Sequence, residues 1–133
     1  MCLLDCVEHW DGASIVCTTR THLDPNNPLR NRGRLSAVCA VEYAAQAMAV
    51  HGALSSSMPS VAGYLISVRA LRLTVQRMDD VRGPLEITAT RIMGDGDSAT
   101  YEFIMRADSA ELLNGRASVF LGKPGGQQCE RRW

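Results

Sequence analysis

Two side chains in the first third of the sequence could exchange protons with a substrate. Glu42 lies in an alanine-rich apolar segment, and a carboxyl hidden from water there would favour its protonated form and suit general acid catalysis. Gln46 follows one helical turn later and faces the same way. His22 opens a polar loop, where an imidazole can serve as a base. The spacing alone fits equally well a structural Glu42 that pairs with an arginine across a subunit contact, and a lone loop histidine such as His22 is usually just solvated.

The other histidines and motifs in the sequence say less about function. His51 follows Glu42 at the end of the same segment and is interpreted as structural or as pocket lining, and His9 beside Trp10 as a surface residue. The sequence contains no GxSxG, P-loop or Rossmann glycine pattern. The run GDGD at 94–97 lacks the acidic twelfth residue of a calcium loop and is interpreted as a hairpin turn. We expect no metal site.

Composition limits the class of protein. A chain of 133 residues that is 46% hydrophobic predicts one domain with a substantial core. The 14 basic and 14 acidic residues balance, which argues against a general nucleic-acid binder. Lys123 is the only lysine, so the other basic residues are arginines, which hold carboxylates and phosphates in fixed geometry.

Cysteine usage and hydropathy bear on the compartment. The five cysteines include no CxxC pair, and Cys2 and Cys6 have no nearby histidine pair to complete a zinc site. No segment approaches the roughly 20 apolar residues that span a bilayer, and the first residues lack a basic region typical of a secretion signal. We therefore expect a reduced, cytoplasmic protein without a membrane span.

The first half of the chain predicts a hairpin, a loop and a helix. Strands are predicted over 3–7 and 13–21, joined by a turn at Asp11-Gly12. Residues 22–34, with two prolines, read as a loop. Residues 36–54 form an apolar segment with Ser36 as a capping residue, and a helix without a polar face is expected to be buried on all sides.

The second half predicts strands. Residues 64–78, 85–92, 99–105 and 113–121 alternate between apolar and polar positions. The alternation changes phase near Arg69-Ala70, which predicts a bulge. The order favours an α+β fold in which a meander of about four strands and the hairpin form one curved antiparallel sheet around a long helix, the hot-dog arrangement. The domain is predicted to span 1–121, with a disordered tail at 122–133.

The motif HLDPNNPL…GRL…VEYAAQAMAVHG resembles the loop-and-helix signature of hot-dog 3-hydroxyacyl-[acyl-carrier-protein] dehydratases. In that pattern a histidine, a proline-containing loop and a glycine precede a helix that carries an acidic residue just before Ala-Gln. LLDCVEHWDG, YLISVRALRL and NGRASVFL resemble the family's strands, so the likeness covers 3–121. The sequence resembles in particular the divergent dehydratases of polyketide-type or aryl-polyene systems. The loop that begins at His22 is longer than the usual loop of the family and lacks the family's Phe-Pro-Gly.

The resemblance implies a mechanism and a set of site residues. His22 would remove the proton α to a thioester carbonyl, and Glu42 of the opposite subunit would protonate the leaving β-hydroxyl. Gly33 or a neighbour at the helix start would supply the N–H that polarises the carbonyl, with Gln46 and Tyr43 also contacting the substrate. Arg30, Arg32 and Arg34 would meet an acidic carrier protein, or remain solvated. No cofactor is implied beyond the phosphopantetheine that carries the substrate.

The partners implied are an acyl carrier protein or a coenzyme A thioester, and a second copy of the chain. An exposed sheet edge predicts a homodimer, possibly a higher oligomer. Two other functions fit the same fold: a thioesterase whose helix carboxylate activates water, and a non-catalytic hot-dog subunit that pairs with an active homologue or holds an acyl chain.

Overall fold

The computed structural model describes residues 2–55, 63–95 and 98–121. Within these ranges one long helix and six strands form the fold. The helix, α1, spans Ala40–Ser55, and 3-10 turns at Thr21–Leu23 and Ala37–Cys39 precede it. The strands are β1 (Cys6–Trp10), β2 (Ser14–Thr19), β3 (Gly63–Leu73), β4 (Leu85–Asp95), β5 (Ser98–Ala107) and β6 (Ala110–Leu121).

The first hairpin forms at the predicted turn. The Asp11 carboxylate accepts the backbone N–H groups of Ala13 and Ser14, at 2.8 and 2.9 Å, which fixes the turn between β1 and β2. The first strand begins later than predicted, because Leu3 is a buried anchor rather than a strand residue. Its N–H donates to Gln46 Oε1 at 2.7 Å, so the start of the chain is tied to α1.

The helix buries one face, and the prediction of burial on all sides is wrong for the single chain. Ser36 caps the preceding 3-10 turn by accepting from the Val38 N–H, as expected. The buried positions recur at helical spacing: Ala40, Tyr43, Ala44, Ala47, Met48, His51 and Gly52. Val38 and Glu42 lie on the exposed side. Alanine carries no polar signal that separates the two faces, so composition alone overestimated the burial.

The strands form one antiparallel sheet in the order β1-β2-β4-β5-β6-β3. The predicted four-strand meander is wrong in one connection, because β3 pairs with β6 and not with β4. Residues 74–84 carry the chain from β3 across to β4. The sheet therefore has β1 and β3 as its edges, and α1 contacts β2 to β6 over the concave face.

The bulge in β3 is confirmed. The register with β6 shifts between Arg69 and Arg72, and Ala70 between them has a φ of 55°. Opposite the bulge, a Cβ on Gly115 would lie 2.9 Å from Phe103 Cζ, so only glycine fits there. Gly115 shares its buried face with Ala117 and Val119, as the alternation predicted.

Several predictions fall at the limits of the described residues. The GDGD run joins β4 to β5, with Asp95 paired to Ser98. Gly96, Asp97 and the predicted tail at 122–133 lie outside the described residues. Cys2, Cys6, Cys17 and Cys39 are free thiols. The helix in the described ranges is not long and apolar enough to cross a membrane.

Candidate active site

His22 lies in a short 3-10 turn and not in open loop. The turn spans Thr21–Leu23, and the Leu23 N–H donates to the Arg20 carbonyl at 2.9 Å. The turn directs the His22 ring into the protein, where its exposed fraction is 0%. A loop histidine that is fully enclosed has lost its hydration, so its partners inside the fold determine what it can do.

The His22 ring has one fixed nitrogen and one without a partner. Nε2 lies 3.0 Å from the carbonyl oxygen of Val81. A carbonyl only accepts, so Nε2 carries the proton and Nδ1 presents a lone pair. Nδ1 is buried and has no hydrogen-bond partner among the described residues. Burial lowers the pKa of His22, and the nearby Arg20 and Arg30 lower it further, so the ring is neutral at pH 7.

The Val81 carbonyl is held by the segment that joins β3 to β4. The Met78 N–H donates to the Leu35 carbonyl at 2.7 Å, and the Leu35 N–H donates to Asp79 Oδ1 at 2.8 Å. Arg77 pairs with Asp79, and this guanidinium holds the pKa of the Asp79 carboxyl far below its usual range. The Val81 carbonyl, which accepts from His22 Nε2, therefore belongs to a segment that several hydrogen bonds and an ion pair hold in place.

Glu42 is exposed in the single chain, which contradicts the prediction that its carboxyl is hidden from water. Only one sheet covers α1, and Glu42 faces away from it. Its charge raises the pKa of the Cys39 thiol, although burial of that thiol is the larger cause. Cys39 Sγ in turn lies 3.8 Å from the Leu29 carbonyl, so the start of the helix lies against the loop.

The structure does not bring His22 and Glu42 together within one chain. No hydrogen bond or ion pair joins them, and both residues lie within the described ranges. Their sequence neighbours do meet, because Thr21 Oγ1 lies 2.9 Å from the Tyr43 hydroxyl. The two segments are therefore linked through these side chains, while His22 is buried and Glu42 is exposed.

Tyr43, predicted to contact the substrate, is a core residue. Its exposed fraction is 0%, and its hydroxyl also accepts the Asn27 amide at 2.9 Å. Asn27 donates to the Thr21 carbonyl as well, so these three residues join the loop to the helix. Tyr43 lies three residues after Ala40 and four before Ala47, and alanines at those spacings share its helix face, which could have revealed this.

Gln46 and Gly33 occupy structural positions. Gln46 Oε1 accepts the Leu3 N–H, which uses the amide oxygen inside the chain. Gly33 is exposed in the turn between Asn31 and Arg34, before the 3-10 turn that leads into α1. Arg32 and Gly33 have φ values of 55° and 77°, the backbone signature of a type I′ turn.

The three loop arginines separate into two groups. Arg32 and Arg34 are exposed. Arg30 turns inward and donates to the carbonyl oxygens of Gly33 and His22, at 2.8 and 2.9 Å. Its role as a carrier-protein contact stays a prediction, and each of its terminal nitrogens already makes one bond inside the loop. The sequence gives no signal that distinguishes Arg30 from its neighbours.

A groove of about 480 Å³ opens beside this region, between the loop and the strand connection. Its wall includes Arg34, Ser36, Cys39 and Arg77. No group of three His, Cys, Asp or Glu side chains in 2–55, 63–95 or 98–121 could hold a metal ion. The arrangement offers an enclosed neutral base, an exposed carboxylate at the helix start and, near that start, a groove lined by residues of the loop and of the strand connection.

The sheet wrapped around one helix places the chain among hot-dog proteins, as the sequence predicted. The family model for ApeP-like proteins, described as ApeP dehydratase, matches residues 1–129. The chain belongs to this family of dehydratases. No protein with curated annotation matches the sequence.

Solved structures support the fold. The dehydratase heterocomplex ApeI:P from Xenorhabdus doucetiae is similar with a TM-score of 0.79 and 22% identity, covering 91% of this chain and 83% of that chain. A mutant thioesterase from Pseudomonas aeruginosa is similar with a TM-score of 0.65 and 13% identity, covering 86% of this chain and 78% of that chain. A hypothetical thioesterase with coenzyme A from Streptococcus pneumoniae has a TM-score of 0.59 and 13% identity, covering 87% of this chain and 84% of that chain. Both dehydratases and thioesterases thus share this architecture.

Proposed function

We propose that this protein dehydrates a 3-hydroxyacyl thioester to a trans-2-enoyl thioester, with His22 as the base. The observation that carries the proposal is the His22 ring, whose Nε2 is held by Val81 while the buried Nδ1 has no partner in the described residues. Buried polar atoms in folded proteins nearly always have partners, so an unpaired acceptor suggests a role in chemistry. Membership of a dehydratase family supports the same reaction.

His22 suits transient proton transfer. Its lowered pKa keeps the ring neutral, so the lone pair on Nδ1 is available near neutral pH. The same burial makes the protonated ring unstable, which favours release of the proton after the reaction. Since the ring is fully enclosed in the free chain, the side chains that cover Nδ1 have to move aside before the acyl group can reach it.

Glu42 acts from a second subunit in this proposal. It is exposed and does not contact His22 of its own chain, whereas Val38, in the 3-10 turn that precedes α1, leaves an apolar side chain 55% exposed. A second copy packed over this face would bury Val38 and enclose the Glu42 carboxyl. The proposed assembly is a homodimer in which each site takes His22 from one chain and Glu42 from the other.

The reaction balances with these two groups. His22 Nδ1 takes the proton from the carbon α to the thioester carbonyl, and the electron pair of that C–H bond forms the new double bond. The β C–O bond breaks, and the Glu42 carboxyl gives its proton to the departing oxygen, which leaves as water. Exchange with solvent returns one proton to Glu42 and removes one from His22. Each group is expected to contribute about 10²–10⁴ in rate.

The substrate is carried on phosphopantetheine, from an acyl carrier protein or coenzyme A. The groove that includes Arg34 and Ser36 lies beside the start of α1, at the end that bears Glu42. Arg32 and Arg34 stay exposed beside it and supply charge for a phosphate or an acidic surface. Arg30, by contrast, donates to two carbonyls inside the loop.

Mass spectrometry of a 3-hydroxyacyl carrier protein tests the reaction. The proposal predicts loss of one water from the acyl group, with the thioester intact. Release of free acid would show a thioesterase instead. No change with either carrier-protein or coenzyme A substrates would overturn the catalytic role and favour a non-catalytic subunit.

Mixing two inactive variants tests the shared site. His22→Gln and Glu42→Gln homodimers should each be inactive, while exchange of their subunits should restore about a quarter of the activity, because each mixed dimer contains one intact site. If both residues act within one chain, mixing restores nothing. His9→Gln and Glu86→Gln make the same changes at exposed positions and should keep full activity.

A further inference from the structure

Arg30 differs from the other loop arginines in its surroundings. It is half-buried, its Nη1 donates to the Gly33 carbonyl at 2.8 Å, and its Nη2 donates to the His22 carbonyl at 2.9 Å. Its Nε is buried without a partner, and no carboxylate pairs with it in the part of the chain that the structure describes. A solvated surface charge has none of these features.

The Gly33 carbonyl is a fixed anchor for this guanidinium. Asn31 and Arg34 exchange backbone hydrogen bonds of 2.8 and 3.0 Å, which close the turn around Arg32 and Gly33. The Arg30 side chain then spans from the turn back to the residue that bears the proposed base. The Arg30 side chain thereby fixes the distance between the Gly33 turn and the His22 backbone, two separate stretches of an irregular loop.

His22 is consequently held at two points. Val81 fixes the ring through Nε2, and Arg30 fixes the backbone through the carbonyl. We propose that Arg30 is a positioning residue, which aims His22 Nδ1 toward the substrate by locking the His22 backbone to the Gly33 turn. This inference rests on the proposed role of His22 as the base. A planar guanidinium can reach two carbonyls in fixed directions, whereas the flexible ammonium of lysine cannot.

The charge of Arg30 has a second effect that can be measured. The groups that influence His22 are the carbonyls of Val81 and Gly83 and the cations Arg20 and Arg30. Both cations lower the pKa of His22, although burial is the larger cause. Arg20 makes no bond to a loop carbonyl through its side chain in the described residues. Arg20 is therefore a control, because its charge acts on the pKa of His22 as that of Arg30 does but its side chain does not hold the loop carbonyls.

Three variants separate position from charge. Arg30→Gln should lower kcat at least about tenfold with KM nearly unchanged, and move the acid limb of the kcat profile to higher pH, since the pKa of His22 rises. Arg30→Lys should lose kcat while the acid limb stays in place. Arg20→Gln should move the acid limb and keep the plateau of kcat.

A spectroscopic measurement covers the case in which a variant folds poorly or turns over slowly. ¹⁵N NMR should show one fixed His22 tautomer, protonated at Nε2, in the wild type and averaging between tautomers in Arg30→Lys. An unchanged His22 tautomer together with wild-type kcat in Arg30→Lys and Arg30→Gln would overturn the positioning role. If His22→Gln is inactive under the same conditions, only this inference fails; if His22→Gln is fully active, the proposed function fails first.

Discussion

Two histidines are completely buried in this protein, and their surroundings differ. His51 has both ring nitrogens bonded: Nδ1 lies 2.6 Å from the Tyr101 hydroxyl and Nε2 lies 2.8 Å from the Asp11 carbonyl. His22 has only Nε2 bonded and leaves Nδ1 unpaired among the described residues. A ring with every polar atom satisfied stabilises the fold, while a ring with an open lone pair can take a proton.

The contrast extends to what each ring connects. His51 joins the end of α1 to the first hairpin and to β5, with the Tyr101 ring packed edge-on at 5.5 Å between centroids. These are elements of the core. His22 lies in a loop that Arg30 and Asn27 hold through single side chains. We therefore expect activity to respond to changes around His22, and stability to changes around His51.

The largest effect is expected from His22→Gln. An amide can keep the bond to Val81 but cannot act as a base, so kcat should fall by about 10²–10⁴ while the unfolding temperature changes little. Steady-state kinetics and thermal unfolding monitored by circular dichroism measure the two quantities. A large loss of stability together with activity would make His22 a structural residue like His51.

Next comes His51→Ala, which should affect stability. It leaves the Tyr101 hydroxyl and the Asp11 carbonyl without their partner and opens a cavity beside them. We expect a loss of about 2–5 kcal/mol in the free energy of unfolding. Chemical denaturation measures it, with His9→Ala on exposed β1 as the control. A loss no larger than that of the control would contradict the structural role.

A smaller effect is expected at Gly33. A Cβ there meets nothing within 4 Å, so its φ of 77° alone makes alanine unfavourable. Gly33→Ala should cost about 1 kcal/mol and Gly33→Asn less, since asparagine tolerates this conformation better. Equal stability of the three proteins in urea would contradict the turn geometry.

The smallest effect is a dependence of stability on pH. The folded chain lowers the pKa of His22 from 6.5, so below that pH the unfolded chain takes up a proton that the folded chain excludes. Stability should therefore fall as the pH drops from about 7 to 5, and less so in His22→Gln. Urea denaturation at several pH values measures the slope. Identical slopes would show that His22 is accessible to protons in the folded state.

The sequence predicted most of the local structure and less of what depends on distant contacts. The bulge at Ala70 and the turn at Asp11 follow from local alternation and turn chemistry, and both are confirmed. The pairing of β3 with β6 depends on the path of the connection at residues 74–84. The alternation within each strand does not determine that path.

The site shows the same limit. His22 could be chosen from its motif, but its burial and its free Nδ1 depend on Val81, far along the chain. The exposure of Glu42 was missed because an alanine-rich helix shows no polar face, and the single chain covers only one side of it. Arg30 could not be separated from Arg32 and Arg34, since only the folded loop shows which side chain turns inward.

Hydrogen exchange at the substrate tests the central claim most directly. In D₂O, a 3-hydroxyacyl carrier protein at equilibrium with its enoyl product should gain deuterium at the α carbon, because the base that removes this proton returns one from solvent. Mass spectrometry should show this label with the wild type and with His9→Gln, and none with His22→Gln. Incorporation by His22→Gln at the wild-type rate would show that another group is the base.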